Sequence, residues 1–187
     1  MIDFDEAVAI ASRSDAKFIA VDGLPVSGKS TLAKRFETEL AATTLYLDDF
    51  IRPEAEWRGK IGAGFPFGYV RYDEYQAAVE AVARGETVRY RLYDWSLGKL
   101  SGEKVIEPGG LVLVEGVSAL HPALAPLYDV RFWVESDATT ILAASLARGV
   151  GDWEEEWRNL FLPSVERFLA TDPRSRADYI VSGRGAL

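Results

Sequence analysis

The chain has 187 residues, nearly half of them apolar, with a formal charge of −8 and no cysteine. That length suits a single domain over residues 1–187 with one sizeable core, and the acidic balance without a Lys/Arg-rich run argues against a nucleic-acid groove, which needs a basic face. No disulfide or thiolate metal site can form. With no apolar run of the roughly 18 residues a membrane helix needs and no basic-then-apolar leader, a cytoplasmic protein away from the membrane is expected.

Residues 3–13 put Phe4, Val8 and Ala11 on one face of a short amphipathic helix. Phe18-Ile-Ala-Val21 is an apolar run, as expected of a strand buried in a parallel sheet. Gly23, Leu24, Pro25, Val26, Ser27, Gly28, Lys29 and Ser30 then complete the pattern GxxxxGK[ST]. Thr31 follows, and Leu32, Phe36 and Leu40 recur at helical spacing. Successive backbone N–H groups and the helix N-terminus form an anion cradle in such a loop. Lys29 would reach the terminal phosphates and the Ser30 hydroxyl would hold Mg²⁺. Strand, loop and helix in this order predict a nucleoside triphosphate site over 23–31, with Mg²⁺ beside the phosphates.

Thr43 to Leu47 reads as a second strand ending in Asp48-Asp49. Ligand groups gather at the carboxyl ends of strands in open α/β sheets. If the alternation of an extended strand persists there, only one of the two acids can face a γ-phosphate. Residues 51–71 are irregular and rich in Gly, Pro, Arg and aromatics, which suggests a loop over a substrate site. Asp73 opens a helix with Tyr75, Val79 and Val82 on one face. The stretch from Thr87 to Trp95 alternates and turns at Ser96–Gly98, a hairpin pattern.

Leu111 to Val114 is an apolar strand capped by Glu115, an acid placed to orient Mg²⁺ or its water shell. Val130 to Val134 is another strand, and 137–147 a helix ending at Arg148. Trp153, Trp157, Leu160 and Phe161 mark an amphipathic helix that Pro163 kinks or restarts. Tyr179-Ile-Val181 is a last short strand. The lone histidine, His121, is expected in a loop, so no histidine-based metal or nucleophile arrangement can be built. Alternating strands and helices predict an α/β fold, a mostly parallel sheet with helices on both faces.

With these elements in place, the chain resembles the uridine kinase and phosphoribulokinase group of P-loop kinases, from about residue 17 to 183. The likeness rests on Gly23–Thr31, Asp48-Asp-Phe-Ile-Arg52, Tyr90-Arg-Leu-Tyr-Asp-Trp95, Ile106-Glu-Pro108 before Leu113-Val-Glu-Gly116, Asp137-Ala-Thr-Thr140 with Arg148, and Ala177-Asp-Tyr-Ile-Val181. The resemblance implies a three-layer P-loop fold with a small β-hairpin and a helical lid. It implies Asp48 as the acid that takes the acceptor's hydroxyl proton and Glu115 as the acid near Mg²⁺. It also implies Tyr93 and Trp95 as aromatics against the substrate, Asp73 as a ribose-hydroxyl ligand, and Arg148 as a lid arginine stabilising the transferring phosphoryl group. The family's base-contacting histidine after the hairpin is missing, its place falling near Gly98. Tyr69-Val-Arg-Tyr-Asp73 replaces a Phe-Asp-His-Pro segment, and Ala144, Ser145 and Gly149 thin the arginines of the lid.

The implied activity is ATP-dependent phosphorylation of a hydroxyl on a small metabolite, a nucleoside in the first instance. A kinase of pantothenate, a sugar or another alcohol is one alternative, and a non-catalytic nucleotide-binding regulator is the other. A small-molecule acceptor is the expected partner, with neither nucleic acid nor membrane; self-association into a homo-oligomer is left open.

Overall fold

The computed structural model describes residues 1–13, 15–137, 144 and 153–184. Helix α1 (Phe4–Arg13) precedes strand β1 (Phe18–Gly23), whose residues are all buried. Helix α2 (Lys29–Leu40) leads to β2 (Thr43–Tyr46). Two further helices, α3 (Glu54–Trp57) and α4 (Tyr72–Ala83), precede the antiparallel hairpin of β3 (Val88–Asp94) and β4 (Lys99–Ile106). Strands β5 (Val112–Glu115), β6 (Val130–Glu135) and β7 (Tyr179–Ser182) complete a parallel sheet in the order β2-β5-β1-β6-β7. The expected architecture of a mostly parallel sheet with helices on both faces is the one observed.

Alternation along β1 explains the layers. Ile19 and Val21 point to one face, where Ala7, Val8 and Ala11 of α1 and Leu32, Ala33 and Phe36 of α2 cover them. Phe18 and Ala20 point to the other, which α4 covers with Tyr75, Ala78 and Val79. Full burial of a side chain such as Phe36 contributes about 1.5–3 kcal/mol, so each helix is held mainly by its apolar stripe rather than by propensity. No helix among the described residues is long and apolar enough to cross a membrane.

Three local expectations need correction. The second strand stops at Tyr46, because Leu47–Phe50 winds into a 3₁₀ turn with Leu47 and Phe50 buried. Residues 51–71 are less irregular than their composition suggests: α3 lies within them, and Ile51 bridges Val70. The amphipathic helix after Trp153 runs on without a break but is not a regular α-helix: a turn over Glu154–Glu156 passes through a π-helical stretch over Trp157–Phe161 into helix α5 (Leu162–Leu169). Pro163 has no N–H for the carbonyl one turn back, and the Leu162 N–H reaches five residues back to the Trp157 carbonyl. Apart from Asp137 and Ala144, the helix expected over 137–147 lies outside the described residues, as does Arg148.

Candidate active site

The phosphate loop connects the buried end of β1 to the first turn of α2. Gly23 has φ 148°, and a Cβ there would stand 2.4 Å from the Val134 carbonyl oxygen, so only glycine fits against β6. Gly28 is also left-handed (φ 112°), and Val26 takes φ 59° despite its branched side chain. Backbone strain of that kind collects at ligand sites. Among the described residues, the N–H groups of Val26, Gly28, Lys29 and Ser30 find no acceptor, and no side chain caps α2. These open donors at a helix N-terminus form an anion nest. The Lys29 ammonium is buried and donates to the Leu24 carbonyl at 2.7 Å. The far end of the chain supports the loop from beneath, where the Arg184 N–H bonds the Ser27 carbonyl at 2.8 Å.

Three acids stand at or just beyond the carboxyl ends of β1, β5 and β2. Glu115 pairs in register with Val21 on one side and Tyr46 on the other. It is almost fully buried, and loss of solvent pushes its pKa up to about 7; the Lys29 cation opposes that rise, while Asp48, Asp22 and Asp49 add to it. Asp22 is wholly buried and accepts N–H groups from Gly23 (2.6 Å), Ser118 (3.1 Å) and Leu120 (2.7 Å). Burial lifts it to about 6, against those hydrogen bonds and Lys29. Asp22 thereby ties the strand carrying the phosphate loop to the segment leaving Glu115. Gly116 lets that segment approach the neighbouring turn: a Cβ there would stand 2.4 Å from Leu47 Cβ.

The 3₁₀ turn separates the two adjacent acids. Asp48 opens into the cleft, and the surrounding protein raises its pKa, with Lys29 opposing the rise. Asp49 turns to the hairpin, accepting the Tyr90 hydroxyl at 3.1 Å and facing the Lys104 ammonium at 3.9 Å. Buried Arg71 clamps this turn. Its guanidinium donates to the Asp49 carbonyl at 2.9 Å and the Arg91 carbonyl at 2.6 Å, and it lies over the Phe50 ring.

A cleft of about 380 Å³ runs from this cluster to an aromatic wall. Pro25, Val26, Lys29, Ser30, Asp48 and Glu115 line its phosphate end, and Trp57, Phe67, Tyr69, Trp95, Trp153, Trp157 and Phe161 the other. Trp57 and Trp153 stack with centroids 5.4 Å apart, and Arg58, paired with Glu54 and Glu156, covers Trp153 at 4.6 Å. Among the described residues no three carboxylate or imidazole ligands converge on a metal position. Ser30 with Glu115 nevertheless suits Mg²⁺, which is held by one or two protein groups together with phosphates and water.

Most of the residues singled out from sequence gather here. Thr31 is exposed behind Ser30 in the first turn of α2. Trp95 lines the cleft, with Tyr93 behind it: the Tyr93 ring meets Trp95 edge-on at 5.0 Å, and its buried hydroxyl has no partner among the described residues. Asp73 is not brought in. The first turn of α4 buries Tyr72 and Tyr75, which leaves Asp73 exposed on the outer side and absent from the cleft lining. Sequence reasoning missed Asp22, Arg71, Trp57 and the tryptophans after 152 as parts of one site. For Asp22 a signal existed, since a carboxylate ending an otherwise apolar buried strand needs a reason to be there.

No protein-family model matches the chain. A Caenorhabditis elegans protein named as a probable uridine-cytidine kinase is 24% identical over 193 residues, covering 90% of this chain and 77% of that protein. A protein described as a possible uridine kinase from Bacillus stearothermophilus superposes with a TM-score of 0.72 at 18% identity, covering 96% of this chain and 97% of the other. A protein assigned as a fructose transport system kinase from Silicibacter sp. TM1040 superposes with a TM-score of 0.69 at 21% identity, covering 91% and 95%. These likenesses bear out the resemblance to the uridine kinase and phosphoribulokinase group of P-loop kinases, and the two solved structures share the fold over the residues they cover.

Proposed function

We propose that this chain is a kinase that transfers the γ-phosphoryl group of ATP to a hydroxyl of a small molecule. The observation that carries the reading is the convergence of open loop N–H donors and the buried Lys29 with Asp48 and Glu115 at one end of a single cleft. Phosphoryl transfer asks for in-line positioning and charge neutralisation rather than covalent chemistry from the protein. The loop N–H groups and Lys29 supply donors and positive charge to the phosphates. Ser30 and Glu115 would hold Mg²⁺, which when bound neutralises phosphate oxygens.

Asp48 is the acceptor base in this reading. The hydroxyl oxygen forms its bond to the γ-phosphorus while the bond from that phosphorus to the β–γ bridging oxygen breaks. The hydroxyl proton passes to an Asp48 carboxylate oxygen, and ADP leaves. Arg148, outside the described residues, is the proposed partner of the charge that develops on the phosphoryl oxygens.

A nucleoside is the acceptor suggested by the names of the C. elegans and B. stearothermophilus proteins. A non-nucleoside alcohol is favoured by a specific observation: Asp73, the ribose ligand implied by the resemblance, is exposed outside the cleft. The test is ADP formation from MgATP with a panel of nucleosides, sugars and other alcohols. Acceptor-dependent turnover supports the assignment; ATP binding with no turnover on any acceptor points to a regulator.

A further inference from the structure

One polar group in the cleft has no part in the chemistry derived so far. Tyr69 is only 7% exposed, yet among the described residues its hydroxyl has no hydrogen-bond partner, and it lines the same cleft as Lys29 and Asp48. Leaving a buried hydroxyl unpaired costs stability, so such a group facing a cleft points to a ligand. Tyr93 differs: its hydroxyl is also unpartnered, but the residue lies behind Trp95 and outside the cleft lining.

The Tyr69 ring is held on three sides. Phe67 stacks on it with centroids 5.4 Å apart, Phe161 meets it edge-on at 4.8 Å, and Trp57 lies tilted at 6.0 Å. Its backbone is held as well. The Arg52 N–H bonds the Tyr69 carbonyl at 2.9 Å, the Arg71 N–H bonds the Phe50 carbonyl at 2.8 Å, and Ile51 bridges Val70. Residues 69–71 thus lie directly against the segment that leaves the Asp48 turn. A phenol fixed in this way needs little further ordering when a ligand arrives.

Charge orders the groups along the cleft. The Lys29 cation acts on Asp48, and the Asp48 charge acts on the Tyr69 phenol, with no contribution there from Lys29. Phosphate end, acid and phenol therefore follow one another. Burial and the Asp48 charge hold the phenol pKa above its ordinary value, so Tyr69 keeps its proton at neutral pH and is available as a donor. Asp48, once ionised, can only accept, and it accepts no hydrogen bond among the described residues. A hydroxyl satisfies both groups at once, since it accepts one hydrogen bond and donates another.

We infer that the Tyr69 hydroxyl donates a hydrogen bond to the reacting oxygen of the acceptor, which makes Tyr69 a further acceptor-binding residue beside Asp48. The inference rests on the kinase reading for the identity of that oxygen. One lone pair of the oxygen accepts from Tyr69. The other attacks the γ-phosphorus while the bond to the β–γ bridging oxygen breaks, and the hydroxyl proton passes to Asp48. Tyr69 keeps its own proton throughout, so it positions the oxygen and leaves the proton balance unchanged.

The test compares Tyr69→Phe with the parent, both as the full chain, because phenylalanine keeps the ring and removes only the oxygen. Uridine, fructose and pantothenate serve as acceptors, with ADP formation from MgATP as the readout. MgATP binding is followed by calorimetry and stability by urea unfolding. Tyr69→Phe is expected to leave MgATP affinity unchanged and the urea midpoint at or above the parent's, since the lost hydroxyl had no partner. For the acceptor that the parent uses best, kcat/KM should fall about three- to tenfold, the order of one hydrogen bond. A merely structural hydroxyl would give the opposite pair of results. Unaltered kcat/KM overturns the inference and leaves the kinase reading standing. A lowered urea midpoint also overturns it, by showing the hydroxyl engaged within the protein. No ADP formation by the parent from any of the three acceptors removes the kinase reading and the inference with it.

Discussion

Glu115→Gln is expected to stabilise the free protein at alkaline pH and to remove its activity. The carboxyl is raised from 4.5 to about 7 by burial, so in the unliganded chain folding favours its protonated form. An acid whose folded pKa lies above its unfolded value binds protons on folding. Stability is therefore greatest below the unfolded pKa and falls as pH rises towards the folded one. At pH 8 the charged carboxylate costs the fold about 3 kcal/mol; at pH 5 the cost is about 1 kcal/mol, both from the rise of 4.5 to about 7. Glutamine keeps the shape and lacks the titration, so its advantage over the parent should grow by about 2 kcal/mol between pH 5 and pH 8, or roughly 4–8 °C in thermal midpoint for a chain of this size. The assay is thermal or urea unfolding of both proteins without nucleotide at the two pH values. A gap between them that does not change with pH would refute the assignment of Glu115 as a strained, buried carboxylate. The same variant should lose Mg²⁺-dependent turnover, a trade of activity for stability.

Lys29→Ala should weaken ATP binding in calorimetry and remove most turnover, because it deletes the cation at the phosphate end; unaltered kinetics at saturating MgATP would contradict the loop assignment. Asp22→Asn places an amide where three N–H groups converge, so at least one donor loses its acceptor; a loss of about 1–3 kcal/mol in urea unfolding is expected, with kcat reduced as the segment after Glu115 shifts. Arg148→Ala should lower kcat far more than it raises the acceptor KM, arginines in such positions being worth about 10³–10⁵ in rate. A change confined to KM would mark Arg148 as a binding residue.

The phosphate loop was legible because every part of it is local: strand, glycines, lysine and helix lie within one short run of sequence. Glu115 was placed for a related reason, since its strand's end can be read from the apolar run and a carboxyl end is where ligands collect; the choice of Asp48 over Asp49 came from the family resemblance instead. Asp22 was not, because the N–H groups it holds belong to Ser118 and Leu120, nearly a hundred residues further along the chain. The separation of Asp48 from Asp49 was anticipated for the wrong reason: a 3₁₀ turn, not strand alternation, sends one to the cleft and the other to Tyr90. Asp73 misled because helical phase depends on which neighbours are buried, and Tyr72 and Tyr75 take the inner side. The aromatic wall joins Trp57 to Trp153 and Phe161 by tertiary packing alone. Composition placed aromatics in both stretches without pairing them.

The most direct test of the account compares Asp48→Asn with the parent in two assays, ATP binding by calorimetry and acceptor-dependent ADP formation. Asparagine preserves the shape of the turn and the nucleotide cradle while removing the proton acceptor. The account predicts unchanged ATP affinity with kcat lowered by about 10²–10⁴, the usual contribution of a positioned base. Near-normal turnover in Asp48→Asn, with the loss appearing in Asp49→Asn instead, would contradict it.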